Sequence, residues 1–414
     1  MMQHRSVGPA PLLVLAFMLG SQAVSVISVV SAAPDGRIGV LYLGEPLSPP
    51  FYLMINDPLF DISFVEAHVH ASGPLGTDQV HRMIRLYMPR TVESLVSRFG
   101  VVVLFCATED AVGTTYIEMI ARSVREAGVG LLMSGSQEGF GAHQGKTSWA
   151  GTSIAELLPV DVIPEGRTLY GRLVLDQPGH ELLSSIPWDM HHPLLASPDT
   201  WDHNQATNKP GASQLAHASW EGEEEPLMVV WEVQQQAERA RVFALTSPIN
   251  LLSQELNPWR YHYDLASNLM IYLVHRPVPQ DVEIAHQARS KILQIAQRRS
   301  ILLDVLEFSE SFGADTGRIM PEIEEADAAI SRAHGQYLEL RYEEMLQTSE
   351  PIESMIQALE RQAVVLKNRA LAWVYAIEWL SVTATALFCG FMLWTIMIQR
   401  KLYRQVQTTR PRAI

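Results

Sequence analysis

Few side chains in this sequence are of types that do chemistry, and their spacing limits what that chemistry can be. Cysteine occurs only as Cys106 and Cys389, so one chain can build neither a disulfide framework nor a cysteine metal site. Cys106 closes the run Val-Val-Val-Leu-Phe-Cys without flanking glycines and reads as a small buried hydrophobe. Ser134 and Ser136 stand in Leu132-Met133-Ser134-Gly135-Ser136, where a serine nucleophile would need an oriented base and an oxyanion hole. Leu132 occupies the place where a nucleophile elbow carries glycine. Ser134 and Cys106 are the catalytic candidates of an exported-hydrolase reading; the preferred reading assigns no catalytic residue.

Histidines raise the question of a metal. His68-x-His70 places two imidazoles on one face of a strand about 7 Å apart, while His191, His192 and His203 fall in loop-forming sequence. A zinc site needs three or four convergent ligands, and no spacing supplies the third, so neither metal nor cofactor is expected. His180 and Glu181 are adjacent and point to opposite faces of an extended backbone.

The elements that would position these residues alternate between short apolar runs and helical stretches. Strands are predicted at Arg37–Leu43, Asp61–Ala71, Val101–Cys106 and Gly130–Ser134, with helices at Thr91–Arg98 and Thr114–Ala127, the latter closed by Gly128. This order implies an α/β fold with a parallel sheet covered on both faces. In such sheets ligands bind in the crevice beyond the carboxyl ends of the strands. The predicted ligand-binding set there is Glu45, Glu109, Asp110, Ser134, Ser136, Gln137 and Asn204. Three further runs, Arg-Thr-Leu-Tyr-Gly-Arg-Leu-Val-Leu, Pro-Leu-Met-Val-Val-Trp-Glu-Val and Arg-Val-Phe-Ala-Leu-Thr-Ser, extend the same sheet. The acidic run Glu221–Glu225 reads as a solvated turn, and a helix from about Pro258 to His275 closes the domain.

Several blocks occur in a telling order: Met88-Pro89-Arg90-Thr91 with Glu93-Ser94-Leu95, then residues 131–149, then 152–167, then Trp201-Asp202-His203-Asn204, Lys209-Pro210-Gly211-Ala212 and Arg241–Ser247. Over residues 37–275 this resembles the class I glutamine amidotransferase-like superfamily, in an uncharacterised branch of it. The resemblance implies a flavodoxin-like sheet with helices on both faces. It also implies a nucleophilic cysteine on the elbow after the fourth strand, with a His-x-Glu pair late in the domain. Here the elbow carries Ser134, and the His-x-Glu pair has no match. The amidotransferase Cys-His-Glu machinery is therefore not matched, and a binding module is expected instead.

The ends of the chain speak to compartment. Residues 1–33 run from Arg5 through an apolar block to Ser31-Ala32-Ala33, the pattern of a secretory signal; an uncleaved N-terminal anchor is the rival reading. Trp379 to Ile398 is twenty residues without a charge, enough at 1.5 Å per residue to cross a hydrocarbon core of about 30 Å. Trp373, Tyr375, Trp379 and Trp394 suit interfacial anchoring. Arg400, Lys401, Arg404, Arg410 and Arg412 follow without an acidic residue, which by the positive-inside rule makes the tail cytoplasmic.

Between Pro279 and this segment, apolar positions step by three and four in three runs: Val282–Leu306, interrupted by Arg289 and Arg299, then Ile319–Leu340, then a third helix starting at Ser349 and Pro351 that flows into the span. These helices form a stalk that packs as a three-helix bundle or offers a coiled-coil-like seam to another membrane or envelope protein. The divisions predicted are 1–33 signal, 34–276 α/β domain, 281–371 stalk, 372–399 transmembrane helix and 400–414 basic tail.

Composition bounds the function. Hydrophobic residues are 47 % and charged ones 18 % of 414, which fits a folded chain rather than a disordered one. The net charge is −14, and five of the 31 Lys and Arg residues lie in the last fifteen positions, so no basic face is offered to nucleic acid. No Asn-x-Ser/Thr sequon occurs, excluding N-glycan roles. The expectation is a single-pass type I membrane protein whose outward α/β module binds a ligand or a protein, or assembles an envelope complex. An exported enzyme using Ser134 or Cys106 is the alternative.

Overall fold

A computed structural model describes residues 36–45, 49–68, 76–135, 139–140, 148–168, 171–188, 203–235, 238–248 and 260–408. The signal segment, Ser136, Gln137, His70, His191, His192, Trp201, Asp202, Arg410 and Arg412 lie outside them. The fold is α/β, with a mixed eight-stranded sheet whose larger part is parallel.

Five strands make the parallel part: β1 (Ile38–Gly44), β2 (Phe60–Glu66), β3 (Val101–Phe105), β4 (Gly130–Ser134) and a late strand, Glu238–Leu245, in the order β2-β1-β3-β4-late strand. β1, β3 and β4 are buried along their whole length, which is why they read as unbroken apolar runs rather than alternating ones. The second strand stops at Glu66, short of the predicted Ala71. In chain order the helices are α1 (Pro49–Met54), α2 (Thr77–Tyr87), α3 (Val92–Val96), α4 (Glu109–Val112), α5 (Thr114–Ala127) and α6 (Ser153–Leu157). α5 ends as expected at Gly128, left-handed at φ 71° with its N–H on the Ser123 carbonyl. α2 was not predicted. It carries polar residues on most positions and buries only Val80 and Ile84, so its apolar stripe is too thin to stand out.

The remaining strands are antiparallel. β5 (Val160–Thr168) pairs only with β7 (His203–Asn208) in a separate ribbon, while β6 (Arg172–Leu175), β8 (Ser213–Trp220) and β9 (Glu223–Gln235) extend the main sheet beyond the late strand, now β10. The acidic run forms the tip of the β8–β9 hairpin, exposed from Glu221 to Glu224 as a solvated turn is. Glu221 and Gly222 both take positive φ, 51° and 93°, as a tight two-residue hairpin loop requires, and Glu225 turns inward (below).

α7 (His262–Leu273) lies on one sheet face and is buried from Tyr263 to Leu273. Three further helices follow, α8 (Val282–Ser311), α9 (Met320–Leu338) and α10 (Tyr342–Thr408); α8 packs on α7, and α10 packs along both α8 and α9. A single hydrophobic cluster runs from Val40, Tyr42 and Phe51 through Tyr263 and Met270 to Ala288, Ile292, Ala333, Tyr337, Met345 and Ile356. The opposite face is covered by α2 to α6 with Ile120, Val124, Trp149 and Leu157.

The predicted start of the third stalk helix at Ser349 and Pro351 is corrected: α10 begins at Tyr342 and passes through Pro351 without a break. Met345 and Ser349 before the proline, and Ile352 and Ile356 after it, are all buried. Apolar packing on both sides of the proline offsets the lost N–H and ring clash, about 3 kcal/mol in an exposed helix. α10 also carries the one stretch among the described residues that is long and apolar enough to cross a membrane, and none of that stretch is buried within the protein.

Candidate functional site

The carboxyl ends of β1, β3, β4 and β10 meet in one place, where successive chain ends hydrogen-bond one another. Glu45 N–H donates to the Phe105 carbonyl at 3.1 Å, Cys106 N–H to Ser134 at 3.2 Å, and Gly135 N–H to Leu245 at 2.7 Å. Gly44 is required at this seam: it sits at φ 144°, and a Cβ there would lie 1.7 Å from the Phe105 carbonyl oxygen.

Cys106 leaves β3 with φ 50°, an unusual left-handed turn for a residue with a side chain. It is 1 % exposed, and its sulfur faces the Gly135 carbonyl at 4.0 Å. The His68 ring lies against this turn. Its Nδ1 is 2.7 Å from the Cys106 carbonyl oxygen, and its Nε2 is 3.7 Å from a Glu45 carboxylate oxygen. Glu45 is the solvent-facing member, with about a third of its side chain exposed. Cysteine, imidazole and carboxylate thus gather at the boundary between β1 and β3. The contact seen is to the cysteine's carbonyl.

Ser134 is fully buried, and its hydroxyl donates to the Ser247 carbonyl at 3.0 Å. Next to it, a Cβ on Gly135 would meet the Asn204 side-chain oxygen at 2.5 Å and the Thr246 carbonyl at 2.6 Å, so Asn204 presses on the end of β4. Asn204 N–H in turn donates to Thr246 at 2.8 Å. His203 beside it is held by Glu225, whose two oxygens take His203 Nε2 at 2.5 Å and Gln205 Nε2 at 2.9 Å. Trp149 covers this end, 1 % exposed, with its indole N–H on the Ala107 carbonyl at 3.0 Å.

Of the predicted ligand-binding set, Ser134 and Asn204 come together with Cys106, and Glu45 lies at the rim with His68. Glu109 and Asp110 open α4 further out; Asp110 is exposed, and its carbonyl accepts from His81 Nε2 at 2.9 Å. Ser136 and Gln137 fall outside the described residues. His180 and Glu181 lie elsewhere, against Tyr272 and Arg241, where burial lowers the His180 pKa. Among the described residues no three histidine, cysteine or acidic side chains converge as metal ligands would.

A second polar cluster escaped the sequence reading. Asp57, at the turn into β2, accepts the hydroxyls of Tyr263 and of Tyr337, the latter at 2.8 Å, and the Leu59 N–H at 2.8 Å. Burial raises its pKa, against the lowering pull of these donors. Nearby, fully buried Asp264 takes Arg289 at 2.6 Å and His286 at 2.7 Å, and Arg289 also reaches Asn268 at 2.8 Å. This cluster joins the sheet domain to α8 and α9. One signal was present: Arg289 interrupts an apolar seam, as a buried, paired arginine does.

No family model matches this sequence, and no curated protein matches it.

Proposed function

We propose that this chain is a membrane-anchored module related to the class I amidotransferase-like superfamily, and that it works by binding at the strand-end crevice rather than by releasing ammonia from an amide. The observation that carries the reading is Ser134. At the end of β4, where the resemblance asks for a thiolate, stands a buried hydroxyl committed to the Ser247 carbonyl. Three features support kinship. The order of the parallel strands matches the flavodoxin-like 2-1-3-4-5 pattern. Two of the resembling blocks touch, since Lys209 Nζ donates to the Ala155 carbonyl at 2.5 Å. A second pair meets where Asn204 presses on Gly135.

The anchor is the Trp379–Ile398 stretch, with Arg400, Lys401 and Arg404 on the cytoplasmic side and the α/β module outside. Its occupant is a ligand or a partner protein of the envelope, recognised through Glu45, His68 and the residues around Asn204. The test is co-purification of the full chain from membranes, wild type beside E45A/N204A. Partners lost from the double variant, with its melting temperature kept, support the reading; an unchanged partner set sinks it. Protease protection in sealed vesicles checks the orientation.

One observation favours a second reading, a cysteine-dependent hydrolase: the left-handed turn at Cys106 beside His68 and Glu45. A thiol activated there would react selectively with iodoacetamide. Labelling at neutral pH that disappears in C106A and falls in H68A would favour it over the binding module.

A further inference from the structure

This inference rests on the reading that Trp379–Ile398 spans the bilayer, and concerns what lies just outside it. α8 and α10 run side by side away from the sheet domain, tied by Lys291–Glu353 at 3.0 Å and Arg298–Glu360 at 2.6 Å. At the far end of α8, Lys367 Nζ lies 5.7 Å from the centre of the Phe308 ring. The connection from α8 to α9 therefore lands on Leu366–Trp373. Trp373 precedes Trp379 by six residues, a rise of about 9 Å, which sets this tip at the outer margin of a headgroup layer roughly 5–7 Å thick.

The tip is built unlike the rest of the stalk. Phe308 and Phe312 pack ring to ring at 4.8 Å yet are 41 % and 37 % exposed, and Met320 and Trp373 are 44 % and 67 % exposed. Beside them opens a cavity of ≈350 Å³ whose lining includes Phe312, Asp315, Arg318, Arg369, Ala370 and Trp373. Arg318 is almost wholly exposed and only 3.9 Å from Asp315; Arg369 is exposed and makes no ion pair among the described residues. The neighbouring acids are also at the surface: Asp315 lines the same cavity, is largely exposed and holds Arg318 only loosely. Asp315 accepts the Gly317 N–H at 3.1 Å, and Glu310 accepts the Thr316 hydroxyl. Bare aromatics are unfavourable in water; at a lipid headgroup layer they are covered, and two arginines, of which Arg369 has no ion pair among the described residues, can meet phosphate.

We propose that the α8–α9 tip is a second bilayer contact, which seats an anionic phospholipid with its phosphate between Arg318 and Arg369 and its glycerol end over Phe312 and Trp373. It would fix the stalk upright on the membrane instead of leaving it hinged on one helix.

The test is photocrosslinking of the full chain in vesicles of phosphatidylcholine alone or mixed with phosphatidylglycerol. Benzophenone-alanine replaces Phe312, or Phe388 as an internal check on the span. The expected result is phosphatidylglycerol adducts at both positions. Those at 312 fall by about tenfold or more in R318Q/R369Q, given roughly fivefold per arginine near an anionic surface, while those at 388 stay constant. Excess inorganic phosphate should leave the adduct intact. Adducts at 388 but none at 312 overturn the proposal alone. So does equal labelling from both lipids, capture of a second chain in place of lipid, or loss of the adduct to free phosphate. No lipid adduct at 388 overturns the spanning reading itself and this one with it.

Discussion

Asp57 shows how much of this protein hangs on single buried polar atoms. Its carboxylate serves two tyrosines and a backbone N–H, and burial still holds its pKa above that of a free carboxylate. A carboxyl whose folded pKa is raised binds its proton more readily folded than unfolded, so this group adds stability as the pH falls towards the ordinary carboxylate range. Burial of His334 acts in the opposite sense, holding its pKa below that of a free imidazole against the raising pull of Asp57; D57N removes that pull, so the variant loses more stability there as the pH falls and the difference runs the same way. The melting-temperature advantage of wild type over D57N in detergent should therefore grow between pH 7.5 and pH 5; an advantage that shrinks or stays flat contradicts the assignment. At the strand ends, Glu45 and Ser134 stand where the apolar runs put them, because strand ends follow from such runs, whereas Asn204 was legible only as part of the resembling block at 201–204. The sequence could not show His68 lying against Cys106, since that contact joins residues 38 apart with no motif to link them.

At the scale of elements, unbroken apolar runs were easy to place: β3, β4 and α5 stand where periodicity and Gly128 put them. What failed were elements whose neighbours override local signals. Pro351 reads as a helix start, yet tertiary packing carries α10 straight through it. P351A should then restore the hydrogen bond to Gln347 and stabilise the chain by about 1–3 kcal/mol. A start at this position would instead make the substitution neutral or harmful, and a thermal melt separates the two. Arg289 presents the complementary case, a charge on an apolar seam that pays its way through Asp264 and Asn268. R289M strands Asp264 in the core and should cost about 3–5 kcal/mol, whereas R289M/D264L should recover much of the loss. Denaturation midpoints of the two variants decide between a paired buried charge and a passive one.

Viewed as a whole molecule, the helices after Pro279 are both spacer and part of the core. From Tyr342 to Trp373, α10 rises about 46 Å, which is the distance it can hold the sheet domain from a membrane. Yet the upper part of that spacer is continuous with the domain interior. Ala285, Ile292, Ala333, Tyr337 and Met345 share one apolar cluster with Tyr263 and Met270, and the Asp57 and Asp264 clusters take partners from both sides of Pro279. A break in composition marks a change of secondary structure here without marking the edge of a folding unit. A chain ending at Arg276 would expose that apolar face and strip Asp57 of Tyr337 and Asp264 of Arg289. It should precipitate, or melt at least about 10 °C below a chain ending at Ala370, since loss of a few kcal/mol moves a domain of this size by that order. The longer chain keeps every one of these contacts and should fold as a soluble unit. Equal melting of the two would mean that the stalk is only a tether.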